Sequence, residues 1–140
     1  MSLAYLVNRI PGQPIIVARL TDQFTLNHNA ALYRQFAELA AEIKGDYYRI
    51  IDFAAANLSV SDSVQSLKAS ATELPGSASD PRVVKNFYTG LADDYVKTLH
   101  SLLEQLPPFP FTMIVADSLE QALNAIYAEM ENSDDAGGDS

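Results

Sequence analysis

The stretch Tyr47–Val64, YYRIIDFAAANLSVSDSV, contains a transition from a buried strand to a capped helix. Residues 48–53 have the continuous apolar character, centred on Ile50 and Ile51, of a strand covered on both faces. After a short loop, Ser and Asp residues precede apolar residues at three- and four-residue spacing, which predicts a helix. The stretch therefore predicts an α/β layer structure with several hydroxyls and a carboxylate at a helix N-terminus.

The residues before this stretch predict a hairpin and a helix. Residues 3–10 and 15–20 are short runs rich in β-branched residues, and the turn sequence Pro11-Gly12-Gln13-Pro14 separates them, so we expect an antiparallel hairpin. Between residues 32 and 43 the apolar side chains fall on one helical face. Gly45 stands where a C-cap glycine would end that helix.

The residues after this stretch predict the remaining helices and the last strand. The second helix has its apolar stripe as far as Leu74 and should end before Pro75-Gly76. Residues 91–106 form a third amphipathic stripe closed by Pro107-Pro108, residues 111–116 form an apolar strand, and residues 119–130 form a fourth stripe. Ser118 and Gln121 have the capping-box spacing that marks the start of the last helix.

Residues 82–88 fit two local structures. Asp80-Pro81 resembles a helix N-cap followed by proline at the first helical position, whereas the β-branched and aromatic residues that follow suit a strand. We predict a strand, because a hairpin followed by alternating helices and strands needs one between the second and third helices. The predicted order is ββαβαβαβα, with one mixed sheet in a single domain of residues 1–131.

Composition narrows the function classes. A chain of 140 residues with 48% apolar content can form one domain with a real core. The absence of Cys excludes disulfides and thiolate chemistry. A net charge of −9 opposes binding to nucleic acid or to an anionic membrane surface. Residues 132–140 are rich in Gly, Ser and Asp, which predicts a disordered acidic C-terminal tail.

Localisation is predicted from two absences in the sequence. The N-terminal MSLAYLVNRIPGQP lacks the basic leader and apolar core of a signal peptide. No segment approaches the roughly 20 apolar residues of a membrane span. We therefore expect a cytoplasmic protein without a membrane partner.

The predicted element order and the residues Leu58-Ser59-Val60-Ser61-Asp62-Ser63 resemble the STAS domains typified by bacterial anti-sigma factor antagonists, the SpoIIAA-like fold. The resemblance covers most of residues 3–131. In that family the loop has the form L-S-x-x-D-S-[ST]-G, and a partner kinase phosphorylates a Ser or Thr at the start of the next helix. Here Val64 replaces that hydroxyl and Gln65 replaces the glycine. The resemblance therefore implies a STAS-like interaction module without the usual phosphoswitch.

The candidate interaction or regulatory loop comprises Ser59, Ser61, Asp62 and Ser63, and two interpretations of it are open. A phosphate on Ser61 or Ser63 could be held by the free N–H groups of the helix N-terminus. Alternatively, Ser59 or Ser61 caps the helix and Asp62 complements the helix dipole.

Asp52 is a second candidate, near the carboxyl end of a central strand where open α/β sheets place ligand-binding groups. It could form a small polar pocket with Asp62 and Ser63, or it could accept hydrogen bonds from loop N–H groups. His28 and His100 are isolated, and the glycines form no phosphate-binding loop. We therefore predict no catalytic residues, no metal site and no cofactor.

These observations predict a noncatalytic regulatory or protein-interaction module. Its expected partner is another protein or a second copy of this chain. The alternative is a small apolar-ligand-binding domain that holds an acyl-type molecule between the sheet and a helix. The third hypothesis is an unrecognised enzyme.

Overall fold

The computed structural model describes residues 3–71, 75–106 and 111–138, with residues 133–138 as backbone only. Five strands and four helices follow one another in the predicted order, and a short 3-10 turn over Leu26–His28 precedes the first helix. The elements are β1 (Tyr5–Arg9), β2 (Ile15–Leu20), α1 (Asn29–Ala40), β3 (Tyr47–Asp52), α2 (Val60–Ser70), β4 (Val83–Thr89), α3 (Asp93–Leu103), β5 (Met113–Ala116) and α4 (Leu119–Gly138). The strand assignment for residues 82–88 is therefore confirmed. Leu74 and Pro107-Pro108 lie outside the described residues.

One mixed sheet contains all five strands in the order β1-β2-β3-β4-β5. The β1–β2 hairpin is antiparallel, and every later neighbour pair is parallel. The hairpin turn has Gly12 at a φ of 74°, and the Ile10 N–H donates to the Ile15 carbonyl at 2.9 Å. The prediction of a single α/β domain with a mixed sheet is confirmed.

The two faces of the sheet have separate cores. One face packs against α1, α2 and α3 through buried residues that include Phe36, Leu67 and Leu99. The opposite face packs against α4 through Ala122 and Ile126. Because side chains alternate along a strand, neighbouring residues of β3 enter different cores, and this is why the strand is apolar almost throughout.

α1 ends earlier than its apolar stripe indicates. The helix stops at Ala40, and Ile43 lies in a following turn in which its N–H donates to the Ala40 carbonyl at 3.0 Å. Ile43 is nevertheless buried, so its position in the apolar stripe reflects burial and not helix. Gly45 has a φ of 86° and ends this turn, five residues beyond the helix.

The connection before β4 is a buried structure. Within it, Ser77 and Ala78 are almost completely buried. One carboxylate oxygen of Asp80 accepts hydrogen bonds from the Gly76 N–H at 2.9 Å and the Tyr47 hydroxyl at 3.1 Å. The other accepts from the Arg82 N–H at 3.0 Å. Asp80 therefore holds the connection against the start of β3.

The predicted cap of α4 is confirmed. The Gln121 N–H donates to Ser118 Oγ at 3.1 Å, and Gln121 Oε1 accepts from the Asp117 N–H at 3.2 Å. The helical backbone continues to Gly138, past residue 131 where the sequence predicts the domain to end. The domain boundary and the disordered tail stay predictions.

A polar contact joins α4 to the sheet. The Tyr48 hydroxyl donates to Glu129 Oε2 at 2.6 Å, and Lys85 Nζ donates to Glu129 Oε1. The hydrogen bond from Lys85, and then that from Tyr48, holds the pKa of Glu129 below its ordinary value of 4.5. Since the folded pKa is lowered, the ionised carboxylate stabilises the fold above pH 4.5, and this contribution is lost as the pH falls through the folded pKa.

We expect Glu129→Gln to lower the free energy of unfolding at neutral pH by no more than about 1 kcal/mol, because the ion pair is partly exposed to solvent. The deficit relative to the unmodified protein should shrink as the pH falls below 4.5 and through the lowered folded pKa, where the carboxylate loses its charge. Urea unfolding over this pH range measures the effect. Glu131→Gln is the matched control on an exposed site of the same helix. A deficit that is independent of pH would contradict this role of Glu129.

Candidate functional site

The carboxyl ends of β3 and β4 form the edge at which open α/β sheets bind ligands. An open cleft of about 280 Å³ lies there, between the loop that follows β3 and the loop that follows β4. We call it the edge cleft, and its walls include Phe53, Asn57, Leu58, Gly90 and Tyr95. The candidate loop of residues 59–63 follows directly from this wall.

Asp52 joins the starts of the two loops through hydrogen bonds. Its Oδ1 accepts hydrogen bonds from the Thr89 hydroxyl at 2.9 Å and from the Ala54 N–H at 3.3 Å. Gly90 packs so closely on this turn that a Cβ there would lie 2.5 Å from the Ala54 nitrogen. Asp52 thus accepts hydrogen bonds from the loops, as in the second interpretation given above. It forms no hydrogen bond with Asp62 or Ser63.

Ser59 is the N-cap of α2. Its Oγ accepts a hydrogen bond from the Asp62 N–H at 3.1 Å, and its carbonyl accepts from the Ser63 N–H at 3.0 Å. Asp62 lies in the first turn, where its negative charge interacts favourably with the helix dipole. The capping interpretation therefore accounts for Ser59 and Asp62.

Ser61 and Ser63 have opposite environments. Ser63 is buried, and its Oγ is hydrogen bonded to the Tyr95 hydroxyl of α3. The Tyr95 hydroxyl donates to the Ser59 carbonyl at 3.1 Å, so Ser63 is the donor in its bond with Tyr95. Ser61 is exposed, and its hydroxyl bonds to no other described residue. Only Ser61 of the two phosphorylation candidates is open to a modifying enzyme.

The sequence argument missed Tyr95 as a site residue. Its spacing placed it in the apolar stripe of the third helix, and nothing in that pattern distinguishes a packed ring from a hydroxyl that joins two helices. Its contact with Ser63 spans 32 residues of sequence.

We expect Tyr95→Phe to destabilise the fold by about 1–3 kcal/mol, because Ser63 and the Ser59 carbonyl lose a shared hydrogen-bond partner while the ring packing is kept. Tyr127→Phe is the control at an exposed tyrosine. Urea unfolding measures both variants. If Tyr95→Phe and Ser63→Ala act through the same bond, the double variant loses less than the sum of the two. Strict additivity would show that the hydroxyls are not coupled.

A second space lies inside the domain, between the sheet and the layer of α1, α2 and α3. This inner cavity has a volume of about 40 Å³. Its walls are mostly apolar and include Ile51, Leu67, Leu99 and Met113. The volume exceeds the threshold of roughly 10–15 Å³ for one water molecule and is far smaller than the engineered cavity of about 150 Å³ that admits benzene.

The walls of the inner cavity include polar groups. The Tyr33 hydroxyl is hydrogen bonded to Ser70 Oγ at 2.6 Å, and both residues line the cavity. Tyr88 also lines it, but its buried hydroxyl has no hydrogen-bond partner within normal distance. Burial raises the pKa of Tyr88 to about 12, and the nearby Arg49 guanidinium opposes that rise.

Arg49 lies in the middle of β3 and is 1% exposed. Its Nε donates to the Gly76 carbonyl at 3.0 Å, and its Nη1 donates to Asn86 Oδ1 at 3.4 Å. The guanidinium carbon lies 4.4 Å from the centre of the Phe36 ring and 5.5 Å from that of Tyr33. Nη2 has no hydrogen-bond partner, and no carboxylate of the described chain forms an ion pair with this charge.

Sequence reasoning missed Arg49 as well. A visible signal was present, since one arginine interrupts an otherwise apolar strand that was predicted to be covered on both faces. A buried charge without a paired charge is unfavourable, so such a position merits attention.

Metal chemistry has no candidate among the described ranges, where no three His, Asp or Glu side chains are grouped to hold an ion. His28 accepts a hydrogen bond from the Thr25 N–H at 3.0 Å and caps the 3-10 turn. Among the helices that the structure describes, none is both long and apolar enough to cross a membrane.

Comparisons with known proteins do not assign a family. No protein-family model matches the chain, and no curated protein matches it. The resemblance to STAS domains therefore stays a prediction from the loop residues and the order of elements.

Proposed function

We propose that this chain is a noncatalytic interaction module of STAS-like type, with the edge cleft and the exposed first turn of α2 as its partner-binding surface. The observation that carries the proposal is the position of Ser61. It is exposed at a helix N-terminus beside an open cleft, while Ser59 and Ser63 on either side are held by internal hydrogen bonds. Internal hydrogen bonds thus hold the first turn of α2 in place, and the Ser61 hydroxyl is accessible to a partner.

The STAS-like part of the proposal is supported by sequence and topology together. The element order agrees with that expectation, and Leu58, Ser59, Asp62 and Ser63 match the family loop. Val64, at the position of the family's phosphorylated hydroxyl, packs against the core instead. The module would therefore bind its partner without the usual phosphoswitch, and Ser61 is the residue through which charge could still regulate binding.

Partner capture from a lysate of the source cell, read by quantitative mass spectrometry, tests the proposal. We expect Ser61→Glu to change the amount of a specific captured partner by about tenfold, equivalent to about 1.4 kcal/mol in binding free energy. Asp46→Arg, at an exposed residue that does not line the edge cleft, is the control. Equal capture by all three proteins would place the binding surface elsewhere. Sedimentation of the purified protein would show whether the partner is a second copy of the chain.

The inner cavity favours a second candidate, a small-ligand-binding domain. Its walls are mostly apolar and come from the sheet and three helices, and layers of this kind can separate to hold a ligand. Native mass spectrometry of the purified protein tests this candidate. A bound small molecule would support it, and an unliganded protein that also fails to bind added small molecules would exclude it.

A further inference from the structure

β1 lies at one edge of the sheet, and its register pairs it with β2 alone. The Ile10 N–H donates to the Ile15 carbonyl, and the Thr21 N–H donates to the Ala4 carbonyl. In an antiparallel pair, residues bonded to the neighbouring strand alternate with residues whose N–H and C=O groups point away from it. The even-numbered residues of β1 therefore bond to β2, and the odd-numbered ones turn their backbone groups outward. These outward-facing groups, which we call the β1 edge, belong to Tyr5, Val7 and Arg9.

The β1 edge lacks several features that protect sheet edges from pairing with another strand. β1 contains no Pro or Lys, and its register with β2 has no bulge. The Arg9 side chain bonds within the hairpin, where its Nε donates to the Gln13 carbonyl at 2.8 Å. Leu6, near the middle of the strand, is 45% exposed. A strand added at this edge would pair with the outward backbone groups and cover Leu6.

The charge distribution makes this edge suitable for contact between two copies of the chain. The net charge is −9, so two copies repel each other over much of their surface. Residues 1–20 contain Arg9 and Arg19 and no Asp or Glu. Both strands of the hairpin lie in this segment. Pairing at the β1 edge therefore brings no carboxylate of one hairpin opposite a carboxylate of the other.

The outward groups of β1 are complementary to those of a second copy. A two-fold axis at Val7 pairs Val7 with Val7 of the second copy and Tyr5 with Arg9, so every outward N–H and C=O group has a partner. Leu6 then lies opposite Asn8 of the second copy, and the two Leu6 side chains are diagonal neighbours within contact range. The two Arg9 residues are four positions apart, about 14 Å, which exceeds the Debye length of about 8 Å at physiological salt.

We propose that this chain forms a two-fold symmetric dimer in which β1 pairs antiparallel with β1 of a second copy, so that the two five-stranded sheets become one continuous sheet. Each copy has one β1 edge, and the association therefore ends at the dimer. Two five-residue strands bury less than the roughly 1,600 Å² of a standard interface, so we expect a dissociation constant of about 10–100 μM. The β1 edge is separate from the edge cleft, and this inference does not depend on the proposed function.

Two measurements on the full-length protein test the dimer. Sedimentation equilibrium between about 5 μM and 1 mM covers the expected dissociation constant. Hydrogen exchange followed by NMR locates the interface. We expect the amide protons of Tyr5, Val7 and Arg9 to exchange severalfold more slowly at the highest concentration than at the lowest. The amide protons of Leu6 and Asn8 bond to β2 in monomer and dimer alike, so their exchange should change less.

Two variants alter the contact in opposite directions. Leu6→Lys places two positive charges near each other across the axis, and we expect it to weaken dimerisation tenfold or more. Asn8→Leu places an apolar side chain opposite Leu6 of the second copy, and we expect it to strengthen dimerisation severalfold. Leu102→Lys is the control, because Leu102 is similarly exposed, at 39%, and lies on α3. It should dimerise as the unmodified protein does.

The outcomes that would overturn the inference are distinct from those that test the edge cleft. A protein that stays monomeric at every concentration would overturn it, and so would protection of the β1 amides by a strand of another protein alone. A dimer that leaves these amides unprotected, or that Leu6→Lys does not weaken, would place the interface elsewhere and also overturn it. Ser61→Glu should leave the dimer unchanged, since Ser61 lies outside the hairpin.

Discussion

Gly76→Ala is expected to destabilise this protein by about 4 kcal/mol or more, which places it among the most severe single substitutions. A Cβ at this position would lie 2.0 Å from the Tyr33 carbonyl oxygen and 2.9 Å from the Ala37 nitrogen. Both atoms belong to the backbone of α1, so relief requires the helix and the buried connection to move apart. The φ of 83° adds the usual strain of a side chain in a left-handed conformation.

The consequences of this change extend to the core. The Gly76 carbonyl accepts from Arg49 Nε and the Gly76 N–H donates to Asp80, so a displaced Gly76 loses both bonds. Total stabilities of small domains are about 5–15 kcal/mol, and such a loss brings the variant close to unfolding at ambient temperature.

Gly45→Ala separates the steric effect from the conformational one. Gly45 has nearly the same positive φ, 86°, but a Cβ there meets no atom within 4 Å. We expect Gly45→Ala to cost about 1–2 kcal/mol, the strain of a left-handed residue alone. Urea unfolding of the two variants measures the difference. Equal losses would mean that Gly76 does not pack tightly against α1.

Asp80→Ala is the second large effect that we expect, with a loss of about 3 kcal/mol or more. The carboxylate accepts hydrogen bonds from Gly76, Tyr47 and Arg82. Hydrogen bonds to a charged group contribute about 1.5–3 kcal/mol each, and a buried donor left unpaired adds its own desolvation cost. The Gly76 N–H and the Tyr47 hydroxyl would both be left unpaired, because both residues are buried and water does not reach them.

Two measurements check this prediction. Urea unfolding compares Asp80→Ala with Asp46→Ala, a control at an exposed aspartate that we expect to change stability by less than about 0.5 kcal/mol. Ultraviolet titration of the tyrosines gives an independent test. Burial is the larger cause that raises the pKa of Tyr47, and the Asp80 carboxylate is the next. The Tyr47 pKa should therefore fall in Asp80→Ala, and an unchanged tyrosine titration would contradict the contact.

Asp80 also explains why residues 82–88 were ambiguous in the sequence. Asp followed by Pro is a common helix start, but the same carboxylate here accepts from the Arg82 N–H two residues on, which is the hydrogen bond of a local turn. Helix caps and such turns use identical chemistry over three or four residues. Only the need for a strand in the sheet resolved the choice.

The candidate site was predictable to the extent that its contacts are local. The cap formed by Ser59 and the helix-start position of Asp62 depend on residues within one helical turn, and the start of α2 was predictable for this reason. The burial of Ser63 was not predictable, since it depends on Tyr95 in a different helix. The same applies to Arg49, whose partners Gly76 and Asn86 lie 27 and 37 residues away.

The sequence by itself determined the alternation of strands and helices, the hairpin, the cap of α4 and the α/β class, because periodicity and turn chemistry act between residues a few positions apart. Only the tertiary structure decided which hydroxyl is exposed, where the buried connection lies and that Arg49 meets Tyr88 beside a cavity. These features depend on the register between β3 and β4 and on the helices that cover one face of the sheet. Burial and pairing of distant side chains are set by that packing and leave no pattern in the local sequence.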